Sequence, residues 1–190
     1  KLMGLAPYGN PKYINIIKDN LIKIYDDGSY KLNLKYFSFH YGHSTISKNF
    51  EKLFGKKRNP EESLRELDQD LAASIQEVFN EIFVKLAKEA LKITGSKNLV
   101  IAGGVGLNCV ANGKIAEKKI FNKIWVQAAS GDAGASIGCA LLSYYSNHTR
   151  KIGQTNQKNS LLGPSFTDSE IENILKSYKI NYIKIDNETL

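Results

Sequence analysis

The sequence predicts an α/β fold, and three observations predict it. The stretch from Asn98 to Ala140 reads as two consecutive strand–loop–helix units. A long stripe of apolar residues at helical spacing precedes it, and a hairpin signal lies further upstream. In the first unit Asn98–Ala102 is a short apolar run with branched residues, which suits a strand buried on both faces. It breaks at Gly103-Gly104, and a helical pattern follows through Leu107, Val110, Ala111 and Ile115. The second unit repeats the plan with Lys123–Gln127, a small-residue loop Ala128-Ala129-Ser130-Gly131, and a helix opened by Asp132. Two crossover strands beside the two strands of the hairpin give a mixed sheet flanked by helices.

The remaining elements follow in chain order. Residues 1–9 form a loop punctuated by Gly4, Pro7 and Gly9. Asn10-Pro11 supplies a cap and a first-turn proline for a helix to about Asn20, with Tyr13, Ile14 and Ile17 inward. Ile22–Tyr25 reads as a strand, Asp27-Gly28 as the hairpin turn, and Tyr30–Phe37 as the returning strand with Leu32, Leu34 and Tyr36 on one face. Asn59-Pro60-Glu61-Glu62 is a second helix start, with acids suited to a first turn. From there Leu64, Leu67, Leu71, Ile75, Val78, Ile82, Leu86 and Ala90 mark one face up to Gly95. That pattern spans about 30 residues, or roughly 45 Å. A crossover helix packed on a sheet explains it better than a coiled coil, because strand–helix units follow. Gln69, Asp70 and Gln76 lie off this face; a place beside the ligand cleft is one reading of them, and a solvated face is the better one. After a helix ending near Asn147, residues 148–160 are polar and patternless, a linker. Thr167-Asp168-Ser169-Glu170 is a capping box for a helix through Ile171, Ile174 and Leu175, and Asn181–Ile185 has the character of a strand. This tail is too poor in apolar residues to hold a core of its own.

Composition bounds the function. At 190 residues the chain holds one domain, or one and part of a second, and 42% hydrophobic with 10% aromatic residues is ordinary for a globular core. No run approaches the roughly 20 apolar residues of a membrane span, so no membrane partner is expected. No signal peptide is recognised, and the absence of an initial Met leads us to expect a processed or excised fragment. Cys109 and Cys139 fall in helices without paired spacing and are expected to be buried thiols of a reduced, cytoplasmic protein. The formal charge of +7 favours phosphorylated ligands, but lysines such as Lys56-Lys57 and Lys118-Lys119 are spread over several elements. Nucleic acid is therefore not expected as a partner. His40 and His43 share a loop without an acid or Cys at ligand spacing, and a packing role is the better reading. His148 carries no signal.

The candidate site lies in the two small-residue loops. Glycines where a strand hands over to a helix let a ligand approach the backbone, and helix N-termini present N–H groups to an anion. Gly104-Val105-Gly106-Leu107-Asn108-Cys109 begins like a dinucleotide fingerprint but has Cys109 at its third glycine. Asn112-Gly113-Lys114-Ile115 lacks both the first glycine and the hydroxyl of a P-loop. Tight turns with close helix–sheet packing remain the structural alternative, and a helix cap is the alternative for Asp132.

At these residues a resemblance appears. Gly103-Gly104-Val105-Gly106-Leu107-Asn108-Cys109-Val110-Ala111-Asn112-Gly113 resembles the GGVALNCxANG signature of the NodU/CmcH/TobZ-type O-carbamoyltransferases, with Gly106 where that family has Ala. Lys1-Leu2-Met3-Gly4-Leu5-Ala6-Pro7-Tyr8-Gly9 is similar to its KxMGLAPYG motif, Gly131-Asp132-Ala133-Gly134 to its (G/D)DAG turn, and Leu162-Gly163-Pro164 to the LGP opening its second domain. The four occur in the family's order over most of residues 1–165. The family's N-terminal half, with its metal-binding His motif, is not in this chain.

The resemblance implies a fold shared with actin, sugar kinases and chaperone ATPases (ASKHA). Residues 1–147 would be the second subdomain of a TsaD-like domain, and 161–190 the start of a YrdC-like one. It implies an enzyme that uses ATP and carbamoyl phosphate to form carbamoyladenylate and carries the carbamoyl group to a hydroxyl of a sugar or other small molecule. Gly103, Gly104 and Asn108 would line the adenylate site, and Asp132 would be one ligand of a divalent metal, iron or magnesium. No catalytic residue is assigned, and the isolated piece is expected to be inactive. An apolar cleft face left open would favour a homodimer. Two other readings are a TsaD-like tRNA threonylcarbamoyl transferase, which the KxMGLAPYG-like opening and the LGP disfavour, and a non-catalytic adenine-nucleotide-binding module.

Overall fold

Residues 2–147 and 163–185 are described by a computed structural model, in which the chain divides into two units, Lys1–Lys151 and Ile152–Leu190. In the first, α1 (Leu2–Leu5) and a 3-10 turn (Ala6–Tyr8) lead to α2 (Ile14–Asn20). The hairpin β1 (Ile22–Ile24) and β2 (Tyr30–Leu32) follows, then a 3-10 turn (Leu34–Tyr36) and α3 (Lys48–Phe54). The long α4 (Glu66–Thr94) feeds β3 (Asn98–Ile101) and α5 (Cys109–Glu117), and β4 (Lys123–Val126) feeds α6 (Ala135–Asn147). This is the α/β architecture the two strand–loop–helix units predict. The sheet differs. β1 and β2 pair antiparallel, β3 and β4 pair parallel, and among the described residues the two pairs form separate sheets rather than one mixed sheet.

α4 explains the separation. It runs between the pairs and serves a different neighbour on each flank. Val78 and Ile82 join Ile17, Leu21, Tyr36 and Phe54 in one core, while Ala87 joins Ile101 and Ile115 in another. Each large aliphatic side chain so buried stabilises the fold by about 1.5–3 kcal/mol. An apolar groove of about 490 Å³ stays open beside α4, lined by Leu32, Phe37, Phe79, Phe83 and Val105 among others. The β3–β4 pair is likewise covered on one face only. Ile101 is buried, but Val100 is 66% exposed and Trp125 49% exposed, so the expectation of a strand buried on both faces is corrected.

Three element boundaries move, the first because tertiary hydrogen bonds outcompete the local signal and the other two because a neighbouring side chain supplies a different cap or turn. The helix expected from Pro11 begins at Ile14, since the Asn10 N–H donates to Asp70 Oδ1 (2.6 Å) and the Tyr13 N–H to Ser74 Oγ (3.0 Å). The strand expected to reach Phe37 stops at Leu32. Asn33 Oδ1 accepts from the Lys35 N–H (3.3 Å) and caps a 3-10 turn, which leaves Leu34 exposed rather than aligned with Leu32. The helix expected from Pro60 begins at Glu66. Asn59 and Glu62 close a turn on each other, and Asp68 accepts from the Arg65 N–H (3.0 Å) and guanidinium (2.8 Å) to form the true cap.

Asp70 is the clamp between the N-terminal motif and α4. It is only 2% exposed and was expected on the solvated side, where the stripe of apolar residues placed it. Its carboxylate accepts from the Asn10 N–H and pairs with Lys12 Nζ at 2.8 Å. The Asn10 N–H first, then Lys12, hold its pKa below the ordinary carboxylate value. A carboxyl whose pKa is lower in the folded state stabilises the fold at neutral pH, and that contribution is lost as pH falls from about 4 through the folded value. Thermal melts should therefore show a midpoint that declines on acidification below about pH 4. Asp70→Asn should lower the midpoint at pH 7 and flatten the decline, leaving the share owed to Asp68 and Glu81, which are also lowered.

In the second unit α7 (Asp168–Ser177) opens with the expected capping box: the Glu170 N–H reaches Thr167 Oγ1 (3.3 Å) and Glu170 accepts from the Thr167 N–H (2.7 Å). None of its described residues is buried, as expected of a tail without its own core. Residues 181–185 form no strand, because no strand among the described residues of this unit offers a ladder to pair with. The linker expected at 148–160, His148 and Leu162 of the LGP lie outside the described residues.

Candidate functional site

Parallel pairing decides where the two loops go. With Asn98 opposite Lys123 and Ile101 opposite Val126, β3 and β4 end together, and both loops leave the same edge. The Gln127 N–H continues the ladder to the Ile101 carbonyl (3.2 Å). The loops then touch. A Cβ built on Gly131 would lie 3.8 Å from the Gly104 Cα, and one on Gly106 would lie 3.7 Å from Ser130 Oγ and 2.9 Å from Ile101 Cγ2. Glycine at 106, in place of alanine, thus makes room for the Ile101 side chain. Gly103 needs its lack of a side chain for a different reason, a φ of +97°.

Each site residue is held by its element. Gly103 and Gly104 are exposed and open the 3-10 turn Gly104–Leu107. Asn108 caps α5, its Oδ1 accepting from the Ala111 N–H (3.0 Å). It is half-buried and also trades hydrogen bonds with Gln76 of α4. Asp132 starts a 3-10 turn (Asp132–Gly134) ahead of α6. It does not cap it. The cap position is Gly131, and the exposed Asp132 carboxylate makes no hydrogen bond or ion pair among the described residues. That leaves the carboxylate available at the mouth of a glycine-lined loop. It is one donor only, for no group of three or more His, Cys, Asp or Glu among the described residues could hold a metal. His40 and His43 lie in an exposed loop, where His40 packs edge-on between Phe39 and Tyr41.

Two buried polar atoms near these loops have no hydrogen-bond partner among the described residues: Ser130 Oγ and Asn112 Oδ1, the latter on a side chain whose Nδ2 donates to the Gly106 carbonyl (2.7 Å). Neither side chain was singled out from the sequence. Gln76 was, with a solvated face preferred to a place beside the cleft. It is 3% exposed, and with Asn80 it forms a buried polar patch flanked by Ile75, Val78 and Ile82. The available signal was two carboxamides one helical turn apart, Gln76 and Asn80, each next to a residue of the apolar stripe or to an aromatic.

The other corrections concern thiols and charge. Cys109 and Cys139 are both exposed rather than buried; Cys109 Sγ lies 3.8 Å from Met3 Sδ. The lysines are less scattered than their sequence positions imply. Lys18, Lys85, Lys88, Lys114 and Lys118 line one groove of about 430 Å³ along α2, α4 and α5, with Glu77 and Glu81 among them.

Comparison with known proteins adds the following. The sequence model of the family described as Carbamoyltransferase N-terminus matches residues 1–141. The chain is 44% identical over 180 residues to the Uncharacterized protein sll1178 of Synechocystis, covering 93% of this chain and 29% of that protein. It is 35% identical over 142 residues to the Nodulation protein NolNO of Sinorhizobium fredii, covering 75% of this chain and 19% of that one. Against the Nodulation protein NolO of Bradyrhizobium diazoefficiens the identity is 32% over 142 residues, with coverage of 75% and 24%. The chain thus spans less than a third of the length of each of these relatives.

Proposed function

The chain belongs to the carbamoyltransferase N-terminal family, and from that premise we propose that it forms one wall of the carbamoyl-transfer site of a longer, ATP-dependent O-carbamoyltransferase. Within that protein residues 1–147 act as the second subdomain of an ASKHA-type, TsaD-like domain, and residues 161–190 begin a YrdC-like one. The observation that carries the reading is the parallel register of β3 and β4, which supports a single binding edge built from Gly103, Gly104, Asn108 and Asp132. The unpartnered Ser130 Oγ and Asn112 Oδ1 support it too, since buried polar atoms left unspent beside a glycine-lined edge are costly unless a bound group or water meets them.

The reaction is transfer from carbamoyladenylate, itself made from ATP and carbamoyl phosphate, to a hydroxyl of a sugar or other small molecule. The acceptor oxygen attacks the carbamoyl carbon, a new C–O bond forms, and the bond to the adenylate phosphate breaks. AMP leaves with the electron pair, and the hydroxyl proton is released. Gly103 and Gly104 let the adenylate approach the backbone, and Asn108 orients it. Asp132 would supply one oxygen to a divalent metal, iron or magnesium, which when bound would polarise the carbamoyl carbonyl.

The test uses the full-length protein with ATP, carbamoyl phosphate and a set of sugar acceptors. Release of AMP should depend on carbamoyl phosphate and rise when a suitable acceptor is added, with a carbamoyl ester detected by mass spectrometry. AMP formation indifferent to carbamoyl phosphate would overturn the proposal.

A further inference from the structure

We infer that Gln76 is a positioning residue that fixes the polarity of the Asn108 carboxamide, so that Asn108 meets a bound nucleotide only as a hydrogen-bond donor. The inference rests on reading the Asn108 loop as part of a nucleotide wall, and it specifies what chemistry the nucleotide must present there.

A chain of hydrogen bonds with defined ends sets the direction. At one end the Glu77 carboxylate can only accept, so Asn80 turns its Nδ2 toward it (3.3 Å). Asn80 Oδ1 therefore faces Gln76, whose Nε2 donates to it (2.8 Å) and to Asn108 Oδ1 (3.2 Å). At the other end the backbone N–H of Ala111 can only donate, and it too requires Asn108 Oδ1 (3.0 Å). Asn108 Nδ2 is left to donate to Gln76 Oε1 (3.0 Å). Both Nε2 hydrogens of Gln76 are used, and Asn108 Oδ1 accepts two bonds.

What remains is one Nδ2–H of Asn108, with no protein partner among the described residues. Turning the amide over would set its Nδ2 against two donors, the Ala111 N–H and Gln76 Nε2. Gln76 is 3% exposed, so water cannot readily take up the broken bonds. The ligand atom at Asn108 must therefore be an acceptor, such as a ribose or phosphate oxygen or an unprotonated ring nitrogen. A group that can only donate is refused.

The experiment is calorimetric titration of the full-length protein with AMP. Asn108→Asp keeps an oxygen for Ala111 and Gln76 but loses both N–H donors, and should weaken AMP binding about tenfold. Gln76→Glu offers only acceptors, so Asn80 Oδ1 and Asn108 Oδ1 lose their donor, and a similar loss is expected. Gln76→Met removes the polar group altogether and serves if the carboxylate prevents folding. Ile115→Val, a mild change in the core, should lower the thermal midpoint and leave AMP affinity unchanged, which separates positioning from general destabilisation. A folded Gln76 variant that binds AMP like the wild type overturns this inference alone. A wild-type protein that does not bind AMP overturns the nucleotide reading, and this inference with it.

Discussion

On the proposed role of Asp132 as a metal ligand, Asp132→Ala in the full-length protein should reduce carbamoyl transfer by at least about a hundredfold. The same change should move the thermal midpoint by less than about 2 °C. The two halves of this expectation come from one structural fact. The carboxylate is exposed and makes no hydrogen bond or ion pair among the described residues, so removing it leaves nothing in the fold unsatisfied. A residue with no structural duty, on a loop packed against the Gly104 backbone, has its cost concentrated in function. Steady-state turnover and scanning calorimetry on the two proteins separate the effects. Turnover within about threefold of the wild type would remove Asp132 from the site, since losing a metal ligand or its second-shell support commonly costs tenfold or more.

Much of this was legible because it is local. The Asp27-Gly28 turn, the Thr167 capping box, the stop at Gly95 with φ +66°, and the two strand-to-helix handovers each depend on a few neighbouring residues, and each appears where the pattern puts it. Much of what escaped depends on residues far apart in the chain. Pro11 and Pro60 are sound helix-start signals, yet neither opens a helix: at Pro60 a local turn between Asn59 and Glu62 takes the place, whereas at Pro11 the cause is distant. Asp70 and Ser74 capture the Asn10 and Tyr13 N–H groups from about 60 positions away. The long helix misled in another way. Its apolar stripe correctly gave Leu71, Ile75, Val78 and Ile82 as core, but a helix with neighbours on several sides buries its polar residues as well. Asp70, Gln76 and Asn80 are buried because α2, α5 and the N-terminal motif cover the flank that a single-faced helix would show to water. The same blindness applies to Ser130 and Asn112, whose interest lies in what they fail to bond.

Gly9→Ala is expected to destabilise the full-length protein by about 3 kcal/mol, the upper part of the usual range for overpacking. Backbone conformation is not the obstacle, because Gly9 has φ −119° and ψ 172°, open to any residue. The obstacle is space. A Cβ there would lie 2.1 Å from the Gln69 carbonyl oxygen and 2.5 Å from the Asp70 nitrogen, both backbone atoms of the first turns of α4. Neither side can retreat freely, since the very next residues are tied to the same helix: Asn10 and Lys12 to Asp70, and Tyr13 to Ser74. Accommodating the methyl group means lifting the loop and breaking the Asn10–Asp70 bond, which takes from a buried carboxylate one of its two partners. Gly4 belongs to the same motif and gives the opposite expectation. No atom lies within 4 Å of a Cβ built on it, and it sits in the short helix α1, where alanine is the better helix former. Gly4→Ala should therefore be neutral or slightly stabilising. Urea denaturation of the two variants would show whether this motif is read by contact with α4, as the geometry requires. If Gly4→Ala proved as damaging as Gly9→Ala, the glycines would be answering to something other than that contact.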